Sequence, residues 1–302
     1  MTESDPVTCL SWASKTTCYM MDAIGSGLNS NFSTALLGSL AGAFAGAIAA
    51  QRIAQRSKQR EEILKELRAI NSAIMVAGTI CNTVIAAKTQ LIRPLWECFK
   101  SCERELKEFE QQRATGQRQG NAPFHYTADL RIFPCPTLPI SVLQDLVFNR
   151  ISVYGRPLSI VSILSQSIVE MKYSYAKREE IIMSLRTQSL PVEEFVQHYF
   201  GIPNAANVTN RDHPDILSAM NEYTDDCIFF SSLLCEDLTD YGRVLRKQYE
   251  RKFGKDAPAI SHADFSTGRA SGTVPPNSKY EDWLKGFPEQ HNGKSEENRG
   301  EA

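Results

Sequence analysis

The chain has 302 residues, with 33 basic and 35 acidic side chains and a formal net charge of -2. This length supplies enough apolar material for a sizeable core in one or two domains, and the near-neutral charge gives no general electrostatic reason to bind nucleic acid. The eight cysteines are too scattered for a small disulfide scaffold. Most of them fall within helical patterns, so we expect reduced thiols in a cytoplasmic body.

An uncharged segment rich in small residues, Phe32 to Ala50, is the first recognisable element. At a rise of about 1.5 Å per residue, it is just long enough to cross a hydrocarbon core of about 30 Å. Glycine in a helix costs about 1 kcal/mol relative to alanine in water, whereas in lipid small residues let two helix backbones approach closely. We therefore predict a transmembrane helix over 32–51 that self-associates; a buried helix of a soluble oligomer is the alternative. The predicted contact, called here the small-residue face, consists of Gly38, Gly42 and Gly46 with Ala35, Ser39, Ala43 and Ala47.

Charged residues flank this segment asymmetrically. Three of the four charged residues before it are acidic, whereas those just after it are basic: Arg52, Arg56, Lys58 and Arg60. Because positive residues stay on the cytoplasmic side, we predict a single-pass protein of the cell inner membrane, with a short external tail, 1–31, and a cytoplasmic C-terminus. A signal peptide carries its positive charge before the apolar run, so the observed order also argues against cleavage.

A second uncharged segment, 69–87, leaves a two-span hairpin open as an alternative. That topology would place Asn71 and Asn82 in the bilayer, where each needs a polar partner. Against it, apolar residues recur through the segment at alternating spacings of four and three, interrupted only by Lys88. We therefore predict a coiled-coil-like stalk helix over 52–93, which Pro94 ends or kinks. The predicted seam is Ile63, Leu67, Ile70, Ile74, Ala77, Cys81, Val84 and Leu91.

The remainder predicts an all-α fold, an antiparallel helical bundle over 94–254. Its two longest helices have coiled-coil spacing and are joined by a compact turn region, which favours antiparallel packing. Helices are expected near 95–112, 141–154, 158–185, 192–200 and 212–253.

Two regions of this part read as non-helical. Residues 113–138, rich in Gly, Gln and Pro, predict a long loop with room for one short strand within 125–133. Residues 255–302 are polar and predict a mostly disordered tail. Within that tail, the aromatic patch 280–287 either docks on a partner or folds back on the bundle.

The sequence contains no recognisable catalytic, cofactor-binding or metal-binding constellation. It has neither a phosphate-binding Gly-rich loop nor a nucleophile elbow. The tripeptide His213-Pro214-Asp215 occurs in J-domain co-chaperones, but here it fits the first turn of a long helix. Acidic residues from Asp225 to Asp240 lack the Glu-x-x-His pairs of di-iron bundles, so we expect a solvated acidic face that pairs with a neighbouring helix.

Two functional hypotheses from different classes follow. The first is a non-enzymatic, membrane-anchored homo-oligomer that contacts membrane lipid and binds an unknown cytoplasmic protein partner or signal, without cofactor, metal or nucleic acid. A bacterial membrane effector in phage defence is one form of it. The alternative is a membrane-tethered enzyme whose site forms where loops 113–138 and 198–215 meet, with a deep pocket between them. Its candidate residues are His125, Tyr126, Asp129, His198, Asp212 and His213.

Overall fold

The computed structural model describes residues 31–117 and 124–287, and over these residues the chain is all-helical. The chain divides into two compact units, one up to Glu62 and one from Ile63 onward. The helices are α1 (Asn31–Ala87), α2 (Arg93–Ala114), α3 (Ile140–Asn149), α4 (Arg156–Thr187), α5 (Val192–Phe200), α6 (Asp212–Phe253), α7 (Ser266–Ala270) and α8 (Glu281–Lys285). A π-helical turn, Lys88–Ile92, connects α1 to α2, and a 3-10 turn, Asn277–Tyr280, precedes α8.

Two local expectations differ from the structure. The short strand expected within 125–133 does not form, and these residues have no regular secondary structure. Helix α3 ends at Asn149 rather than at Tyr154, and Gly155 caps the start of the next helix. Gly155 has φ of 70° and immediately precedes α4, a conformation that suits glycine better than any residue with a side chain.

The seam predicted for a stalk is buried inside the helical bundle of the second unit. Its residues from Leu67 to Val84 are at most 1% exposed. The thiol of Cys235 on α6 lies 3.5 Å from the carbonyl oxygen of Ile74, and the thiol of Cys81 lies 3.7 Å from that of Ile228. From Ile63 onward, the helix expected to project as a stalk is therefore a core helix of the bundle.

Helical structure does not end at Pro94. Proline lacks an N–H and its ring collides with the carbonyl group four residues earlier, so an α-helix cannot continue through it undisturbed. Here the π-helical turn precedes Pro94, and the N–H of Arg93 donates to the carbonyl oxygen of Lys88, five residues back. The wider turn lets the chain remain helical into α2.

The described part of the predicted tail, 255–287, packs against the bundle. Phe265 and Val274 are 7% and 3% exposed. The side-chain amide of Asn71 donates to the carbonyl oxygen of Ala259 and accepts from the N–H of Ser261, both at 2.8 Å. The expectation of a mostly disordered tail is therefore wrong for 255–287, and residues 288–302 lie outside the described residues.

The cysteines that the structure describes are free thiols, and Cys81, Cys102, Cys227 and Cys235 are buried. Burial raises the pKa of Cys81 to about 11 and also raises those of Cys227 and Cys235. These core thiols are packing residues rather than nucleophiles, as expected from their positions in the helical pattern.

Replacing Asn71 with Ala removes both hydrogen bonds to the C-terminal segment. We expect a loss of about 2 kcal/mol in the free energy of unfolding and faster hydrogen exchange at residues 259–261. Asn82→Ala is the matched control, since Asn82 is exposed on the same helix and should change stability by less than about 0.5 kcal/mol. Equal effects of the two substitutions would contradict this role for Asn71.

Candidate functional sites

The small-residue face lies on an exposed stretch of α1. Every residue from 35 to 62 is exposed, and a Cβ added at Gly38, Gly42 or Gly46 would meet no described atom within 4 Å. Large apolar side chains on the same stretch are about half exposed or more: Leu36, Leu37, Leu40, Phe44 and Ile48. By length and composition, this long N-terminal helix could span a membrane.

The two loops of the enzyme hypothesis do meet, and Tyr199 joins them. The N–H of Asp129 donates to the Tyr199 hydroxyl at 3.1 Å, and Nδ1 of His213 donates to the Tyr199 carbonyl oxygen at 2.8 Å. Arg178 on α4 completes the junction by donating to the carbonyl oxygens of Arg131 and Asp129, at 2.6 and 2.9 Å. Side chains thus satisfy the backbone hydrogen-bonding groups of this irregular segment, as a neighbouring strand would do in a sheet.

Aromatic rings fill the described space between these loops. The ring of Tyr199 lies 4.4 Å from that of His213 and 4.9 Å from that of Phe200, and Tyr126 lies 5.7 Å from Phe200. A site needs an open cleft in which polar groups converge, whereas this junction is a packed aromatic cluster.

The other candidate residues of the enzyme hypothesis do not converge on the junction. His125 and Asp212 are exposed, and His198 lies 3.9 Å from Glu194 on its own helix. Of the six candidates, Tyr126, Asp129 and His213 are brought together, and the other three are not. Tyr199 and Arg178 hold the junction together but were not among the candidates.

His213 is a buried, neutral side chain. Because a carbonyl oxygen only accepts, Nδ1 carries the hydrogen, and Nε2 is buried without a hydrogen-bond partner among the described residues. Burial lowers the pKa of His213 to about 4; the bond to Tyr199 opposes this shift, and the charge of Arg178 adds to it. The tripeptide 213–215 lies in the first turn of α6, a position that suits Pro214.

A buried ion pair lies at the π-helical turn. The ammonium of Lys88, 6% exposed, bonds the carboxylate of Asp225 on α6, which also accepts from Lys279 at 2.9 Å. Burial, with the charges of Arg93 and Lys279, lowers the pKa of Lys88 to about 8. In sequence, Lys88 is the single charged residue that interrupts an apolar seam. That position indicates a buried charge, which requires a buried partner.

The acidic residues of α6 are largely paired rather than solvated. Asp237 accepts two hydrogen bonds from Arg156, at 2.5 and 2.9 Å, and Glu236 pairs with Arg269 of α7. On α4, Lys177 pairs with Glu180 of its own helix, and Arg178 bonds backbone carbonyl groups. Neighbouring helices and the C-terminal segment thus neutralise this face.

An open cleft of about 350 Å³ lies beside the C-terminal segment, along the first turns of α6. Carboxylates dominate its polar lining. The described residues include no group of three or more His, Cys, Asp or Glu side chains arranged to hold a metal ion. The lining residues are Asp215, Ser218, Ala219, Glu222, Tyr223, Asp226 and Lys279.

No protein-family model matches this chain, and neither a curated protein nor a solved structure is significantly similar to it.

The lowered pKa of His213 predicts a loss of stability in mild acid. Below about pH 6.5, the unfolded state binds a proton that the folded state does not bind until about pH 4. The free energy of unfolding should therefore fall by about 3 kcal/mol across this window, as measured by chemical denaturation.

His213→Gln should be less stable than the wild type at pH 7 and should lose this component of the acid sensitivity. His198→Gln should keep it, because that side chain is partly exposed. A His213→Gln protein with the full acid sensitivity would show that other groups cause it.

Proposed function

We propose that this chain is a membrane-anchored, non-enzymatic protein that self-associates through the small-residue face and uses its helical bundle to bind a partner. The observation that carries the proposal is the exposure of the whole apolar stretch of α1 from residue 35 to 50. Water is a poor environment for five large apolar side chains on one helix, whereas lipid suits them. The three glycines on that helix would allow the backbone of a second helix to approach closely.

The proposed topology has one span, an external N-terminus and a cytoplasmic bundle, in a cell inner membrane. Two contacts support a single span, because residues within or next to 69–87 bind the rest of the bundle: Asn71 bonds the C-terminal segment, and Lys88 pairs with Asp225. A second span would forfeit these contacts and place their polar groups in lipid. The exposed basic residues Arg52 and Lys58 support the orientation.

Within the bundle, we infer that α4 and α6 pack antiparallel. Arg156, the first residue of α4, bonds Asp237, far along α6. Arg178, in the second half of α4, lies close enough to His213, in the first turn of α6, to lower its pKa. The start of α4 thus contacts the second half of α6, and the second half of α4 lies near the start of α6, which supports antiparallel packing.

The aromatic packing at the junction of the two loops counts against a catalytic site there. An enzyme whose site lies at that junction remains the alternative. The more specific role of a membrane effector in bacterial phage defence stays a prediction.

Anchoring is tested by expressing the full chain in bacteria with a C-terminal reporter that is active on one side of the membrane only. We expect a membrane fraction that resists alkaline extraction and a reporter signal on the cytoplasmic side. A soluble protein would contradict the anchor. A signal on the external side would instead establish 69–87 as a second span.

Self-association is tested with Gly42→Leu. The larger side chain holds two helix backbones apart, so we expect oligomer formation in detergent micelles to weaken by about tenfold or more, with membrane insertion retained. Ala41→Leu is the control, because it adds the same side chain about 100° around the helix axis. An unchanged oligomer size for Gly42→Leu, by cross-linking or light scattering, would remove the small-residue face as the contact.

A further inference from the structure

The C-terminal residues 276–287 lie on one surface of α6. The ammonium of Lys279 donates to Asp225 at 2.9 Å, and the hydroxyl of Tyr280 donates to Asp226 at 2.7 Å. The ring of Tyr280 stacks on Phe229, with 3.8 Å between the centroids. The rings of Trp283 and Phe230 form a T-shaped pair, with 5.0 Å between the centroids. A Lys-Tyr-x-x-Trp sequence thus contacts two carboxylates and two aromatic rings of α6.

This segment buries less of its surface than the residues directly before it. Residues 273–275 are buried, whereas no residue from 276 to 287 is. The turn hydrogen bonds within the segment are internal, such as those from Lys279 to Pro276 and from Gly286 to Trp283. Segments that have few buried side chains and are held by side-chain contacts alone open locally without unfolding the domain.

The surface beneath the segment continues beyond it. The cleft of about 350 Å³ is lined by Asp226 and Lys279 and extends along α6 past Glu222 to Asp215. A ligand longer than the chain's own segment would therefore meet further carboxylates, which favour basic side chains. Phe229 and Phe230 are 2% and 4% exposed in the present arrangement, so release of the segment would uncover both rings.

We propose that the surface formed by Asp225, Asp226, Phe229 and Phe230, called here the docking surface, binds a partner peptide of Lys-Tyr-x-x-Trp type with basic neighbours. Residues 276–287 occupy this surface as an internal ligand, and the partner displaces them. The proposal rests on the partner binding proposed above and adds the surface and the chemistry of the partner. Two carboxylates select the lysine and the tyrosine hydroxyl, and two rings select aromatic residues three positions apart.

The test uses the full-length protein in detergent micelles and a fluorescent peptide with the sequence of residues 277–287. In the wild type, the internal segment competes, so we expect weak binding by fluorescence anisotropy. In the variant Tyr280→Ala/Trp283→Ala, the surface is free. If the segment is detached about one tenth of the time in the wild type, the peptide should bind this variant about tenfold more tightly.

Two controls test where the peptide binds. Adding Phe230→Ala and Asp226→Ala to the released variant should abolish binding, and a peptide with alanine in place of its tyrosine and tryptophan should not bind. No binding to the released variant, or equal affinity for wild type and variant, would overturn the proposal. Retained binding after loss of Phe230 and Asp226 would also overturn it.

Tyr280→Phe removes only the hydrogen bond to Asp226 and serves as the milder variant. It should give intermediate peptide affinity and faster hydrogen exchange confined to 276–287. Loss of exchange protection throughout the bundle in both variants would show that the segment is integral to the fold, which contradicts an internal ligand. Membrane retention of the same preparations tests the anchor separately, since the anchor depends on residues 32–51.

Discussion

The bundle depends on the apolar contact between α1 and α6. The seam residues of α1 from Leu67 to Val84 are buried. The thiol of Cys235 of α6 lies next to the carbonyl oxygen of Ile74, and the thiol of Cys81 lies next to the carbonyl oxygen of Ile228 of α6. Gly242 of α6 permits this close approach, because a Cβ there would lie 3.1 Å from the Ile70 side chain and 3.2 Å from that of Ile260. The two helices together form the base on which residues 255–287 lie.

Buried polar groups determine how these elements fit together. An unpaired ammonium in the core costs several kcal/mol, so Lys88 requires Asp225 at one position along α6. Asn71 bonds one carbonyl and one N–H of the C-terminal segment and thereby fixes its course. Apolar packing alone tolerates small shifts along a helix, whereas these bonds do not. The polar pairs thus fix the relative positions of these elements, whereas the apolar seam stabilises the fold.

The periodicity of the sequence predicted the long helices well. The bounds of α6 were predicted within a residue, because continuous apolar spacing is the strongest local signal. The same spacing could not show whether the seam of α1 packs against another chain or against a helix of the same chain, since both kinds of packing require the same apolar pattern. It is α6 of the same chain that covers the seam.

The packing of the C-terminal residues and of the two loops was harder to predict, because it depends on contacts between residues that are far apart in sequence. Residues 255–287 have a polar composition, and a few anchors such as Phe265 and Val274 hold them in place. The sequence also suggested that two loops meet, and they do through Tyr199. The loops contain aromatic residues such as Tyr126 and Tyr199, but the sequence did not show that their rings pack together at the junction, because ring packing depends on tertiary distances.

The glycines of the helices give an independent argument about the first unit. Glycine in a helix costs about 1 kcal/mol relative to alanine, which a close neighbour can offset. In the bundle, Gly78 faces Ala263 and Gly242 faces Ile70. Gly38, Gly42 and Gly46 have no such neighbour among the described atoms, although they recur at one helical face. The proposed self-association would give these glycines the close neighbour that Gly242 has in Ile70, because another copy of this chain would present a surface of the same shape.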